Sequence, residues 1–347
     1  MWIKNPIHQQ RLQRFKRNKR GYYSLIIFLF LYAITLLSNF IANDKPLVIF
    51  YEDKAYFPTL KSYPETLFGG DFETEANYRD PYLLKLIDGK GSMIWPPIRF
   101  SYTTVNHDLP QPAPAPPSKV NWIGTDDQGR DLMARLLYGL RITISFGLIL
   151  TIVSSSIGIL MGAVQGYMGG KTDLLLQRFT EIWSGLPILY LLIILSSMVN
   201  PGFWWLLLVL VLFKWMTLVS VVRAEFLKAR NYEYVKAARS LGLRSSVIMV
   251  RHVLPNAMVA SLTFMPFILN ASITTLSSLD FLGFGLPPES ASMGEILRQG
   301  KNNIHAPWLG LTGFFSLSIL LTLLIFIGEA VRDAFDPRTA KQVVPNE

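Results

Sequence analysis

Cysteine does not occur in the 347 residues. Its absence excludes disulfides and thiolate-bound metal, and it suits a chain partly exposed to an oxidising compartment. Histidine is nearly absent too: His8, His107, His252 and His305 stand in separate loops, without the H-E-x-x-H pattern or any paired spacing that a zinc site needs. No G-x-S-x-G nucleophile elbow is present. The nearest approach to a phosphate-binding loop, Gln165–Thr172 (QGYMGGKT), has Gln165 where the first glycine belongs and follows an apolar run where a strand is required. Glu329, Arg332 and Asp333 lie at helical spacing, which predicts a local ion pair rather than catalysis. The expectation is a non-enzyme without catalytic residues, metal or cofactor. Charge is the last scarcity: Asp, Glu, Lys and Arg make up 16% of the chain, against about 25% in a soluble domain.

Hydrophobic residues fill the space, at 50% of the sequence and a mean hydropathy of +0.31. Six apolar runs stand near Tyr23–Ala42, Leu140–Tyr167, Ile182–Val199, Phe203–Val222, Asn256–Leu279 and Trp308–Ala330. Each is close to the roughly 20 residues that cross about 30 Å of hydrocarbon. In lipid every backbone group must be satisfied within its own segment, so such runs are helices. The fold class expected is an all-α integral membrane protein of six transmembrane helices, with an external insert between helices 1 and 2. The first run follows a basic arm, but it exceeds the 7–15 apolar residues of a signal peptide and no small-residue cleavage site follows it; it reads as an uncleaved anchor.

The formal charge of +9 raises the question of nucleic acid, and its distribution answers it. Lys4, Arg11, Arg14, Lys16, Arg17, Lys19 and Arg20 precede the first run without an acid among them. Arg223, Lys228, Arg230, Lys236, Arg239, Arg244 and Arg251 cluster between the fourth and fifth runs against Glu225 and Glu233. The positive-inside rule puts both clusters in the cytoplasm, with both termini, while the acid-richer stretch after the first run lies outside. The arm then serves topology and attraction to membrane lipid, with no nucleic-acid partner. This divides the chain into a cytoplasmic arm (1–22), a first helix (23–42), a periplasmic insert and linker (43–139), a five-helix core (140–330) and a cytoplasmic tail (331–347). The insert reads as small and irregular, with little periodicity and an extended Pro110–Pro117 (PQPAPAPP) that can be neither helix nor sheet.

Three features stand out within the core. Ser154, Gly158, Gly162 and Gly166 recur every four residues and form a small-residue ridge for close helix packing. Lys214 falls inside the fourth run, where a charge costs about 2.5–3.5 kcal/mol. It marks a candidate translocation path, with snorkelling or an ion pair to a neighbouring subunit as the plainer readings. The third is Asn231–Pro255, NYEYVKAARSLGLRSSVIMVRHVLP. Asn231 is placed to N-cap a helix of about three turns near 231–242, Glu233 suits its first turn and Arg239 its last, and Gly242 suits the left-handed position just past it. Ala237 and Ala238 leave part of its surface flat enough for another protein to approach. Leu254-Pro255 opens the next span, proline being tolerated in a first turn. An interfacial helix resting on lipid is the bland alternative.

Ala237-Ala238, Gly242 and Leu254-Pro255 resemble the E-A-A…G…L-P signature of ABC-importer permeases, with Lys236 in place of the glutamate. Arg251–Asn256 (RHVLPN) resembles the variant found in oligopeptide and dipeptide permeases (OppC/DppC subfamily). Three further segments resemble blocks of that subfamily: Trp122–Arg141 (WIGTDDQGRDLMARLLYGLR), Ser278–Pro287 (SLDFLGFGLP) and Gly328–Arg338 (GEAVRDAFDPR), the last with Glu329 for aspartate. The long insert and Lys236 favour the YejE-type branch over ordinary OppC or DppC types. The resemblance implies the type I ABC-importer permease fold and a heterodimer with a second permease. It also implies one or two ABC ATPase subunits, which hydrolyse ATP, and a periplasmic peptide-binding protein. In the family the 231–242 helix is a coupling helix that docks on the ATPase. The residues it assigns to coupling are Tyr234, Val235, Lys236, Ala237, Ala238, Leu241, Gly242, Leu254 and Pro255. The cargo implied is oligopeptide, peptide antibiotics of the microcin C type included. Ion pairing inside Gly124–Asp131 is expected to fix a turn rather than to touch cargo. A permease for nickel or another small solute is the nearest alternative. An ATP-independent secondary transporter or a membrane-anchored scaffold are the rivals of other classes.

Overall fold

The computed structural model describes residues 6–199 and 201–335; Lys4 of the arm and residues 336–347 of the tail, including the end of the Gly328–Arg338 block, lie outside them. The arm forms α1 (Pro6–Arg17), and α2 (Lys19–Leu36) begins inside it, capped by Asn18 Oδ1, which accepts from the Gly21 amide. After the short α3 (Ser38–Ile41) and the insert comes α5 (Leu132–Met168). Its 37 residues extend roughly 55 Å at 1.5 Å each, well beyond one bilayer core.

The third span differs from the straight helix expected over Ile182–Val199. α6 (Gly170–Ser184) and α7 (Ile188–Met198) meet at a 66° bend. Pro187 has no N–H to donate and its ring drives Leu186 out of the helical region. α7 alone has 11 residues, about 16 Å, too short to cross. Among the described residues five helical stretches are long and apolar enough to span, and six if the bent pair is one span. The fourth span runs on as one helical stretch but winds tighter at one point: α8 (Phe203–Lys214) passes through a 3-10 turn, Trp215–Leu218, into α9 (Val219–Ala229). α10 (Glu233–Ser240) and α11 (Ser245–Val247) follow, and a π-helical turn at Ile248–Val253 leads into α12 (Leu254–Leu282). Pro255 cannot bond to the Arg251 carbonyl and would collide with it in an α-turn, so the wider winding relieves the clash. α13 (Met293–Asn302) is capped by Ser292, and α14 (Pro307–Phe335) closes the described chain.

The insert is more ordered than its sequence suggests. β1 (Val48–Tyr51), β2 (Lys54–Tyr56) and β3 (Gly91–Ile94) form an antiparallel sheet in the order β2-β1-β3. With α4 (Pro81–Asp88) the sheet encloses Ile49, Tyr51, Phe68, Tyr78, Leu83 and Ile87 in a core of its own. Strands of four residues or fewer are too short for a readable alternation. Below it Asp126 is fully buried: its carboxylate accepts from Arg130 N (2.8 Å) and Arg130 Nε (2.7 Å) and lies 3.3 Å from Arg135 Nε. Arg135 also donates to the carbonyls of Tyr102 (3.2 Å) and Ser290 (3.1 Å). One guanidinium thus ties the insert, the start of α5 and the α12–α13 loop together. Asp131 caps α5 through Ala134 N at 2.8 Å, and burial pushes its carboxyl up while that amide and Asn121 pull it back.

The small-residue ridge of α5 meets α9. A β-carbon on Gly158 would stand 2.3 Å from the Trp215 carbonyl oxygen, on Gly162 2.7 Å from that of Val219, and on Gly166 2.5 Å from that of Arg223. Each glycine therefore accepts one turn of the facing helix. Replacing Gly162 by leucine is expected to cost at least about 1–3 kcal/mol by overpacking, read as a lower unfolding temperature of the detergent-solubilised protein. Arg135→Met leaves Asp126 its Arg130 partner but strands the carbonyls of Tyr102 and Ser290; a loss of about 1–3 kcal/mol is expected, with insertion into the membrane retained.

Candidate functional site

The conspicuous loop of the sequence becomes α10 and its turn, at the end of the bundle opposite the insert. The helix is shorter than three turns. Its N-cap is Tyr232 without a side-chain cap, and Asn231 Nδ2 instead donates to the Leu227 carbonyl at 3.3 Å, so the expected Asn231 cap is not made. The C-terminus follows the expectation. Gly242 has φ +75°; its N–H donates to the Arg239 carbonyl (3.0 Å) and that of Leu243 to Ala238 (3.2 Å). These two bonds are the Schellman closure, and only a residue tolerant of positive φ completes it without strain.

Of the nine residues assigned to coupling, two point inward. Val235 and Ala238 are buried against Tyr167, Phe226, Ile248 and Val253, a core shared by α5, α9 and the π turn. They sit three apart on one face and anchor the helix to the bundle, whereas their side chains were expected on its partner-facing side. Tyr234, Lys236, Ala237, Leu241 and Gly242 are exposed. Leu241 stands out with 82% of its surface free. Lys236, where the signature has glutamate, pairs with Glu233 at 2.9 Å. Leu254 is half-buried and Pro255 exposed at the head of α12; they shape the turn behind the helix. Arg239 lies over the Tyr167 ring at 5.5 Å, adding a cation–π contact to the anchor.

Behind α10, Glu225, Asn256, Thr263, Arg332 and Phe335 line a cavity of about 330 Å³ between α9, α12 and α14. The local ion pair expected of Glu329, Arg332 and Asp333 is absent among the described residues: Asp333 instead accepts from Asn18 Nδ2 at 3.3 Å, joining α14 to the head of α2. Lys214 is half-buried at the α8 break, and no acid pairs with it among the described residues. Sequence reasoning missed the pairing of Arg223, which reaches Asp173 of α6 through two bonds of 2.5 and 2.7 Å. The four-residue repeat of Trp215, Val219 and Arg223 matches that of the glycine ridge they face, but nothing in the sequence joined Arg223 to Asp173.

Residues 134–341 match the family described as "Binding-protein-dependent transport system inner membrane component", and residues 8–58 match the N-terminal transmembrane domain of oligopeptide transport permease C. The chain belongs to this permease family. It is 59% identical to the inner membrane ABC transporter permease protein YejE of Escherichia coli over 97% of this chain and 98% of that one. It is 53% identical to the peptidoglycan transport system permease protein YejE of Agrobacterium fabrum over 96% and 94%. The oligopeptide transport system permease protein OppC of Bacillus subtilis is 33% identical over 70% of this chain and 79% of its own. The permease is thus an inner-membrane transport component of the peptide-transport ABC family.

Around Gly242 of the permease there is open space, so a substitution there acts through the backbone alone. Gly242→Val is expected to destabilise the α10 turn by about 1–3 kcal/mol, visible as faster hydrogen exchange across Glu233–Ser240, whereas Gly242→Asn, tolerant of the same conformation, stays near the parent.

Proposed function

We propose that this permease is one of two membrane subunits of an ATP-driven oligopeptide importer, and that α10 is the element through which ATPase closure reaches the spans. The observation that carries the reading is a helix pinned on one face and free on the other. Val235 and Ala238 join it to α9 and the foot of α12, while Tyr234, Ala237 and Leu241 are offered outward. A push on the free face is transmitted to two spans at once. The partners in this reading are a second permease as heterodimer, one fused or two separate ATPase chains, and a periplasmic peptide-binding protein seated on the insert. The basic arm faces cytoplasmic lipid headgroups, and both termini and α10 share that side.

Oligopeptides are the cargo the relatives' names support, and peptide antibiotics of the microcin C type belong to the same chemistry. The name of the Agrobacterium relative favours a second cargo within it, peptide-bearing cell-wall fragments. Lys214 is kept as a candidate contact on the translocation path.

The affinity-tagged permease is expected to bring a second permease and an ATPase through purification in mild detergent. The reconstituted assembly should take up labelled oligopeptide only with ATP and binding protein. Leu241→Asp should shed the ATPase while the permease keeps its unfolding temperature; Val235→Asp should lower that temperature by burying an unpaired charge, at a cost of several kcal/mol. A chain that purifies without any ATPase, or a Leu241→Asp protein that retains it fully, would falsify the coupling assignment.

A further inference from the structure

The bend of the third span and the 3-10 turn of the fourth lie beside a cavity whose wall is largely apolar, with a few hydrogen-bonding groups set into it. About 220 Å³ in volume, it lies between α5, α6 and α9 and is lined by Gln165, Gln177, Thr180, Ser184, Ser220 and Arg223, among others. Ser184 is the last residue of α6 before its bend, and Met216, also on the lining, sits in the 3-10 turn of the fourth span. In membrane transporters, discontinuous helices gather at the cargo site because their freed backbone groups need a polar surrounding. Polar side chains among apolar helices likewise face water, a partner or a ligand.

The charges at this wall are already neutralised within the chain. Arg223 is held by Asp173 through both carboxylate oxygens, and Glu181 accepts from Arg178 at 2.7 Å and from Gln177 at 3.1 Å. What remains free is neutral hydrogen-bonding capacity. Gln165 is 1% exposed, and its Nε2 has no hydrogen-bond partner among the described residues. An unsatisfied buried donor costs about 1–3 kcal/mol, so an amide kept there calls for an acceptor that the folded chain does not supply. The hydroxyls of Thr180 and Ser184 spend their protons on the carbonyls of Gln177 and Glu181 and present lone pairs as acceptors. One donor beside two or more acceptors, without net charge, matches the carbonyl and N–H of a peptide unit. α6 has no buried residue along its length, so this wall is open away from its own bundle.

We propose that this cavity is the part of the cargo path that the permease contributes, and that it holds peptides by their backbone through Gln165, Thr180, Ser184 and Ser220. The proposal rests on the peptide-importer reading. Recognition of backbone groups leaves side chains unread, as suits an importer whose selection lies on a separate binding protein.

The absence of native cysteine makes the test direct. Ser184→Cys and Ser220→Cys, both at exposed positions, are introduced singly into the full assembly and treated with a membrane-impermeant thiosulfonate, with and without a saturating tripeptide during turnover. The tripeptide is expected to slow modification about ten-fold, and Gln165→Met to raise the KM for uptake by a similar factor, which is what one lost neutral hydrogen bond amounts to. Thiols that never react, or that react equally fast with and without peptide in an assembly that imports peptide, overturn the site alone. An unmodified assembly that imports no peptide overturns the parent reading and this one with it.

Discussion

The close approach of α5 and α9 organises this protein. α5 touches α2, α3, α6, α8, α9, α12, α13 and α14, so the spans are arranged around one mast. Its contact with α9 is the tightest in backbone terms, because glycine at 158, 162 and 166 lets the facing carbonyls of Trp215, Val219 and Arg223 come to within 2.3–2.7 Å of where a β-carbon would be. Lipid tails are as apolar as leucine, so association in a membrane is driven by packing and hydrogen bonding more than by exclusion of water. Small residues in a strict four-residue period are the means of obtaining that packing. α9 in turn leads directly to α10, and the core under α10 includes Tyr167 from the far end of α5. α10 is therefore referenced to the mast through two routes, its own chain and its buried face.

Much of this was legible because membrane helices write themselves in composition. Apolar length locates a span, and a ridge of glycine at period four needs no partner sequence to be recognised. The interruptions were not legible in the same way. Gly185-Leu186-Pro187 carries a breaker, yet hydropathy runs straight across it, and a scan for apolar length joins what the backbone bends by 66°. The 3-10 turn at Trp215–Leu218 has neither glycine nor proline, so nothing local announces it. In the insert the strands hold three or four residues, and the order comes from the aromatic core around Phe68, which draws residues from far apart in the chain. At the coupling site the residue types were readable and their directions were not. Val235 and Ala238 differ from Tyr234 and Ala237 only in which side of α10 they occupy, and a helix of eight residues bounded by polar turns gives no apolar stripe long enough to orient it.

The polar residues of the permease fall into two kinds, and the difference has mechanical content. At the insert end they are charged and mutually satisfied. Asp126, Arg130 and Arg135 are all at most 4% exposed in their side chains, and an ion network so placed has a low-cost arrangement only in one geometry, because displacing any member strands the others. This is a joint built to stay closed, and it holds the insert to α5 and to the loop before α13. Around the cavity between α5, α6 and α9 the free groups are neutral: an amide and hydroxyls that can exchange partners at a cost of about a kcal/mol each. Groups of that kind can release one ligand atom and take another without the penalty of separating charges.

A transporter needs both kinds. A wall that bound cargo through charge would have to undo several kcal/mol of ion pairing at each step, whereas exchanging neutral hydrogen bonds moves the peptide along a nearly level path. In the proposed mechanism the stroke enters at the opposite end, where α10 is pinned through Val235 and Ala238 to α9 and to the foot of α12. Motion entering there can divide at the interruptions, because a 3-10 turn and a proline bend lack the continuous i to i−4 ladder that makes an α-helix rigid. The bend at 185–187 and the 3-10 turn at 215–218 are two such points. In the proposed mechanism, a conformational change at α10 alters the shape of the cavity beside these two points.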